Sequence, residues 1–322
     1  MVFEEYGGPE VLTLKDIPKP APTDDEVLIN VHATSVNDWD WSMLRGIPFV
    51  NRLSAGLFNP TKIPVLGCDV AGVVEDVGKN IKHLKPGDEV FGDLSRGKWG
   101  ALAEYVCAPE EALAVKPKSM TFEQAAAFPQ AGVLGLQGIR DKGQVQAGQK
   151  VLINGASGGA GSFAVQIAKS IGAEVTGVCR TVKMDMVSSI GADFVIDYTK
   201  VDFTKNGQHY DLILDMEAYH SISDYRRSLK PNGRYIAEGG PTGNIMKIIY
   251  FGMLVSLFSS KKMSLLMLKQ NEGLTDLIEL FEAGKVEPII DKCFPLSETA
   301  DAFRFFGEGH KKGKVVVSLK NI

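Results

Sequence analysis

Cysteine is scarce: four among 322 residues (Cys68, Cys107, Cys179 and Cys293), far apart and with no C-x-x-C pair. That excludes a disulfide framework and a knot of closely spaced zinc-binding cysteines. A strong excess of either charge is missing too. The formal net charge of −4 gives no electrostatic reason to expect nucleic acid or anionic membrane as a partner. The opening M-V-F-E-E-Y has neither a basic n-region nor an apolar h-region, so nothing suggests secretion and a reducing cytoplasm is the expected compartment. No apolar run is long enough to span a bilayer. The nearest, residues 245–258, falls short of the ~20 residues required and carries Lys247. Two readings of it stand: a core or subunit-interface helix, or peripheral membrane attachment aided by Lys261 and Lys262. Internal repeats and low-complexity segments are also absent.

What remains is an ordinary globular composition, 44% apolar and 23% charged, long enough for about two domains. Residues 1–125 read as short strands punctuated by turns: 27–31, the glycine-rich run 65–78, a P-G turn at Pro86-Gly87 leading into a strand, and 101–107. Such spacing suggests a small barrel or sandwich. From Phe122 the pattern changes to two helical turns interrupted at Pro129. Lys150 to Ser162, K-V-L-I-N-G-A-S-G-G-A-G-S, then reads as a buried strand, a glycine turn and a helix, the unit that cradles a pyrophosphate on helix N–H groups. In G-x-G-x-x-G register its positions are Ala156, Gly158 and Gly161, with Gly155 one place early; Ser157, Gly159 and Ala160 complete the turn. Strands at 174–178, 194–197, 211–215 and 234–237 alternate with helices near 184–190 and 222–229, followed by an amphipathic helix at 274–283. That alternation is the signature of a doubly wound parallel sheet. V-E-P-I-I-D and G-K-V-V-V-S-L near the end read as strands that rejoin the first module.

The order of several strings carries more weight than any one of them. Ser35-Val-Asn37 precedes Arg45-Gly46, Pro64-Val-Leu-Gly67, Asp69 and Ala71-Gly72-Val-Val. Gly87-Asp-Glu-Val-Phe-Gly92, Ala103-Glu-Tyr-Val106, the glycine turn, Gly191-Ala-Asp193 with Val195-Ile-Asp-Tyr198, and Gly313-Lys-Val-Val316 follow. Over nearly the whole chain this resembles the medium-chain dehydrogenase/reductase superfamily, and most closely its zinc-independent quinone oxidoreductase-like branch. The resemblance implies an α/β protein with a GroES-like β-rich catalytic domain, residues 1–125 and 286–322, interrupted by a Rossmann nucleotide-binding domain, residues 126–285. A homodimer, through the edge of the nucleotide-binding sheet and residues 245–258, is implied as well. In zinc-using relatives the metal is held at positions that match Asn37, Cys68 and Gln130 here, and two amides with one thiol make no zinc site. No metal is expected. The similar glycine turn of short-chain dehydrogenases lies near the N-terminus and works with a Tyr-x-x-x-Lys pair; no tyrosine here has a lysine four residues on.

An NAD-binding unit ends its second strand with an acid that holds the ribose 2′-OH. Here that strand ends Val178-Cys179-Arg180, with Lys183 following. Both cations attract a 2′-phosphate, and the resemblance places Lys183 and Tyr198 in the same pocket. The expected cofactor is therefore NADPH (NADP); the competing reading leaves Arg180 and Lys183 as solvated loop residues. Gly239 and Gly240 end the fifth strand, at the edge that faces the nicotinamide in this fold, where close backbone approach favours glycine. Glu238 beside them touches either the cofactor or solvent.

The chemistry implied is hydride delivery to a small-molecule acceptor, a quinone or an α,β-unsaturated carbonyl. Such acceptors spread charge onto oxygen, whereas a simple ketone needs a stronger Lewis acid. The resemblance places Asn37 and Asp40 near the nicotinamide and acceptor as catalytic residues, Asn37 donating to a carbonyl and Asp40 organising water or the ribose. Alternatively Asn37 caps the following helix and Asp40 faces solvent. Trp39 and Trp41 either stack on a flat acceptor or pack internally. Val133-Leu134 stands where some relatives carry a hydroxyl, leaving solvent as a proton source. A second class of function stays open: an NADP-binding scaffold or membrane-associated interaction protein of the same fold. An alcohol dehydrogenase-like activity is opposed by the zinc-ligand positions.

Overall fold

The computed structural model describes residues 1–320. By packing, the chain forms two compact units, residues 1–130, 270–275 and 288–322 in one, residues 131–269 and 276–287 in the other. Asn321 and Ile322 lie outside the described residues.

The first unit opens with β1 (Glu26–Val36), helices α1 (Asp38–Arg45) and α2 (Val50–Ala55), then β2 (Asp69–Val77), β3 (Glu89–Asp93), β4 (Tyr105–Pro109), the short β5 (Ala114–Val115) and α3 (Phe122–Ala127). β1 is longer than its apolar run and buried along nearly its whole length. The cause is its central place: β2 pairs along one edge, while β4 and then β13 (Lys314–Ser318) share the other, all antiparallel. Val27, Ile29 and Val31 pack with Val70, Val74 and Val90 in one core cluster. Phe3, Leu44, Leu66, Phe303 and Val317 meet in another.

Pro129 closes α3 and starts α4 (Pro129–Leu136), because a proline N–H is not needed in a first helical turn. The second unit then alternates β6 (Lys150–Asn154), α5 (Gly159–Ile171), β7 (Glu174–Cys179), α6 (Met184–Ser189), β8 (Phe194–Asp197), β9 (Tyr210–Asp215), α7 (Ile222–Ser228), β10 (Leu229–Ala237), α8 (Thr242–Phe258) and β11 (Lys262–Leu265). Its six strands are all parallel, in the order β11-β10-β9-β6-β7-β8. Central strands read as unbroken apolar runs because helices cover both faces.

Of the readings left open for residues 245–258, helix α8 is not a core helix within this chain. Only Ile248 and Gly252 are buried; Met246, Ile249, Tyr250, Phe251, Met253, Leu254, Leu257 and Phe258 are exposed, Phe258 to 85%. Among the described residues no helix is long and apolar enough to cross a membrane. After α9 (Leu274–Glu282) the chain returns through β12 (Ile290–Pro295) and α10 (Thr299–Gly307) to β13. β12 starts later than V-E-P-I-I-D suggests, since Gln166 takes both backbone groups of Glu287: its Nε2 donates to the carbonyl at 2.9 Å and its Oε1 accepts the N–H at 2.9 Å.

Candidate functional site

In the second unit the strand-to-helix turn is built by Gly155, whose φ of +86° suits glycine. The displaced first glycine therefore performs the tight turn, and Ala156 at the expected position is buried. The amides of Gly155 and Ala156 both donate to Val178 O at 3.1 Å, tying the turn to β7. A Cβ on Gly161 would lie 2.1 Å from Gly155 O, so this glycine lets α5 approach the turn; a Cβ on Gly158 would meet only that oxygen, at 3.4 Å. Gly158 is the N-cap and no described side chain caps α5. The helix start at Gly159, Ala160 and Gly161, with buried Ser157 before it, is thus left with free N–H groups and the positive end of the dipole.

At the end of β7, Arg180 Nε donates to the Tyr198 hydroxyl at 2.5 Å, with its guanidinium 6.0 Å from that ring's centre. Tyr198 is half exposed, whereas Lys183 is buried. Asp197, next to Tyr198, accepts from the hydroxyls of Thr181 and Thr199, which hold its carboxyl well below the usual range. The structure brings Arg180 and Tyr198 together directly.

At the end of β10 the two glycines have a reason the sequence does not reveal. A Cβ on Gly239 would stand 2.6 Å from Met216 O, and one on Gly240 (φ +130°) 2.5 Å from Glu217 O. The neighbouring loop after β9 demands them. Glu238 does not face solvent. Both carboxyl oxygens are buried without a hydrogen-bond partner, and burial first, then Asp215, pushes its pKa well up. Asp215 itself, at the tip of β9, was not singled out from the sequence. It is fully buried and accepts from Asn154 Nδ2 (2.8 Å), Tyr235 OH (3.1 Å) and the amides of Glu217 and Ala218. A strand ending in Asp at a sheet's carboxyl edge was the available signal. A hollow of about 740 Å³ lined by Arg140, Gln146, Asp211, Asn232 and Arg234 opens at the opposite edge and holds none of these residues.

In the first unit Asn37 and Asp40 share one buried polar cluster. They stand at the N-cap and third position of α1, and Asp40 Oδ2 accepts the Asn37 N–H at 3.0 Å. Asp40 does not face solvent: it is fully buried, its other oxygen accepts Gly67 N at 2.9 Å, and Cys68 Sγ donates to Oδ2 at 3.2 Å. Burial pushes its carboxyl up to about 6. Asn37 Nδ2 donates to Asp69 Oδ2 at 2.8 Å and to Cys68 Sγ at 3.3 Å. Asp69 also accepts from Ser35 Oγ (2.6 Å) and Gln130 N (3.1 Å). Lys314, 3% exposed, completes the group, donating to Asn37 Oδ1 and lying 3.3 Å from Asp69 Oδ2. Neither Asp69 nor Lys314 stood out as a site residue in the sequence, although both sit inside strings quoted above. Trp41 packs against Phe306, while Trp39 is half exposed on α1.

The three zinc-matching positions do converge: Asn37 Nδ2 and Gln130 Nε2 approach Cys68 Sγ at 3.3 and 3.6 Å. They do not fit a zinc ion. Both amides present N–H groups to the sulfur, burial and the surrounding carboxyls push the thiol's pKa well up, and an ammonium already lies in the cluster. Cys68, Asp69 and Asp93 also bring donor atoms within 4.8 Å of one another. Asp93 faces Asp69 across the β2–β3 ladder, and burial followed by that carboxylate raises its pKa.

A β-rich unit interrupted by a parallel-sheet unit with a glycine turn at its first strand defines a two-domain dehydrogenase/reductase architecture. The alcohol dehydrogenase GroES-like domain matches residues 23–118 and the zinc-binding dehydrogenase family residues 190–317. A chloroplast envelope quinone oxidoreductase homolog of Arabidopsis thaliana is 33% identical over 98% of this chain and 96% of its own length. An NADPH-dependent alkenal/one oxidoreductase, also of Arabidopsis thaliana and chloroplastic, is 34% identical over 98% of this chain and 78% of its own. The structure of a quinone oxidoreductase from Coxiella burnetii superposes with a TM-score of 0.87 at 29% identity, covering 99% of this chain and 98% of that one. The chain belongs to the medium-chain dehydrogenase/reductase superfamily, in its quinone oxidoreductase-like branch.

Proposed function

We propose that this protein is an NADPH-dependent, zinc-independent reductase of quinones and α,β-unsaturated carbonyls. The observation that carries it is the end of β7, where Arg180 bound to Tyr198 occupies the place of the acid that an NAD enzyme uses. That pair and Lys183 are the proposed seat of the 2′-phosphate. The α5 N-terminus, from Ala156 to Gly161, is the proposed pyrophosphate site, and Gly239 and Gly240 line the nicotinamide end. The residues fit the cofactor: the helix start is uncapped, and the turn at Gly158 has room for close approach. When bound, NADPH supplies a hydride. Asn37 and Asp40 are the proposed polar residues toward the acceptor, Asp40 holding the backbone of Asn37 and Gly67 in place. A cluster of amides and an ammonium polarises a carbonyl by hydrogen bonding rather than as a Lewis acid, which favours conjugated acceptors over simple ketones. The names of the two Arabidopsis relatives support the same acceptor classes.

The test is the initial rate of NADPH oxidation at about 340 nm, where reduced nicotinamide absorbs, against an alkenal, a cyclic enone, a benzoquinone, a naphthoquinone and a ketone, each repeated with NADH. Turnover of the conjugated acceptors with NADPH preferred and the ketone inert supports the reading. Tight NADPH binding without turnover would favour the scaffold role instead. The four cysteines are unpaired, which supports a reducing compartment such as the cytoplasm. The apolar surface of α8 beside edge strand β11 supports a homodimer; a monomeric mass by light scattering would refute it.

A further inference from the structure

We propose that Lys314 is a positioning residue of this reductase: its buried ammonium supplies, as a covalently attached cation, the positive charge that metal-using relatives draw from an ion, and it fixes the orientation of the Asn37 amide. The inference rests on the reductase reading above.

Three observations converge. Lys314 is the first residue of β13, and the antiparallel pairing of β13 with β1 carries its side chain into the cluster. A buried ammonium requires a counter-charge and acceptors; here they are Asp69 Oδ2 at 3.3 Å and Asn37 Oδ1. The amide of Asn37 consequently has one allowed orientation. Its oxygen must face Lys314, a donor without acceptor capacity, and its nitrogen must face the carboxylate of Asp69. Rotation of the amide by half a turn would set N–H against N–H and oxygen against oxygen. Lys314 contacts Asn37, ahead of α1, and Asp69 on β2; through these two the cluster extends to Asp40 on α1, Cys68 ahead of β2 and Asp93 on β3. Lys314 is the one cation among them, in a cluster otherwise made of carboxyls, a thiol and amides. A zinc ion at this point would compete with the ammonium for Asp69.

The experiment compares wild type with Lys314→Met, Asp69→Asn and the double variant Lys314→Met/Asp69→Asn. Unfolding midpoints, NADPH dissociation constants, and kcat and KM for the best enone are measured for each. Removing Lys314 alone leaves Asp69 buried without its cation, so Lys314→Met is expected to lose stability or fail to fold. The double variant removes both charges and is expected to fold with a near-wild-type midpoint. Its kcat should remain roughly 10–100-fold low, the scale of a misplaced polar group, with KM and the NADPH constant changed less than about threefold. Recovery of wild-type kcat in the double variant would overturn the proposal, leaving Lys314 as a mere neutraliser of Asp69. Equal and additive losses of stability in the two single variants would overturn it too, because the pair would then be uncoupled. Absence of turnover in wild type that still binds NADPH counts against the reductase reading instead, while the unfolding cycle still decides whether Lys314 and Asp69 act together.

Discussion

Two glycines three residues apart should fail in different ways when each is replaced by alanine. At Gly161 the new Cβ would sit 2.1 Å from Gly155 O, 2.8 Å from Gly155 C and 2.9 Å from Ala156 Cα. All three are backbone atoms, so no side chain can swing aside. The turn or the helix must shift by more than about an ångström, at a cost on the order of 1–3 kcal/mol or more for overpacking. Alanine's better helix propensity returns about 1 kcal/mol of that. Gly161→Ala is therefore expected to lower the unfolding free energy by a net of up to about 2 kcal/mol and to disturb the turn. At Gly158 the new methyl would meet Gly155 O at 3.4 Å, an ordinary contact, and the residue's φ of −82° suits alanine. Stability should fall by less than about 1 kcal/mol, the N-cap preference for glycine. The methyl instead occupies the approach to the α5 amides, so the NADPH dissociation constant should rise by roughly tenfold or more. Urea unfolding and fluorescence titration with NADPH separate the two effects. If Gly158→Ala unfolds as easily as Gly161→Ala, or binds NADPH normally, the division into a packing glycine and a ligand-approach glycine is wrong.

Arg180→Ala should raise KM for NADPH by roughly tenfold or more while leaving NADH unchanged, since only the 2′-phosphate distinguishes them; equal effects on both cofactors in steady-state rates would remove Arg180 from the phosphate pocket. Asp40 titrates near 6 in the folded protein against an ordinary 3.8. The folded state thus keeps a proton that the unfolded chain loses, and stability falls as pH rises between those values. The stability gap between wild type and Asp40→Asn should change by about 3 kcal/mol across that window, and a pH-independent gap in urea unfolding would contradict the burial argument. Glu238→Met replaces an unpartnered buried carboxyl by an apolar side chain of similar length. It should raise the thermal midpoint, more at neutral than at acid pH; a lowered midpoint would mean that the carboxyl has a partner in solution.

Several features were legible along the chain because their causes are local. Strand, glycine turn and helix follow one another within thirteen residues, and the alternation of β6 to β10 repeats with short connections. The missing acid after β7 is visible as Arg180. For helix α8 the choice between a core and an interface or membrane-facing helix was not legible, for a physical reason. Apolar residues on every side of a helix ordinarily mean burial, and nothing local states that its neighbours cover only Ile248 and Gly252. Glu238 gave no hint of burial either: beside two glycines it reads as facing cofactor or solvent, whereas its carboxyl lies against Gly138, a hundred positions away.

The sequence by itself determined the two architectures, the glycine turn after β6 and the basic end of β7, because each depends on periodicity or on neighbours a few residues away. Tertiary structure alone decided the first-unit cluster. Lys314 and Asn37 lie 277 positions apart, and Asp69 stands 245 from Lys314. They meet because β13 returns to pair with β1, whose last residues lead into Asn37, while β2 pairs along the other edge. Once there, burial requires every donor and charge to find a partner, and that requirement turns three unremarkable positions into one ordered network.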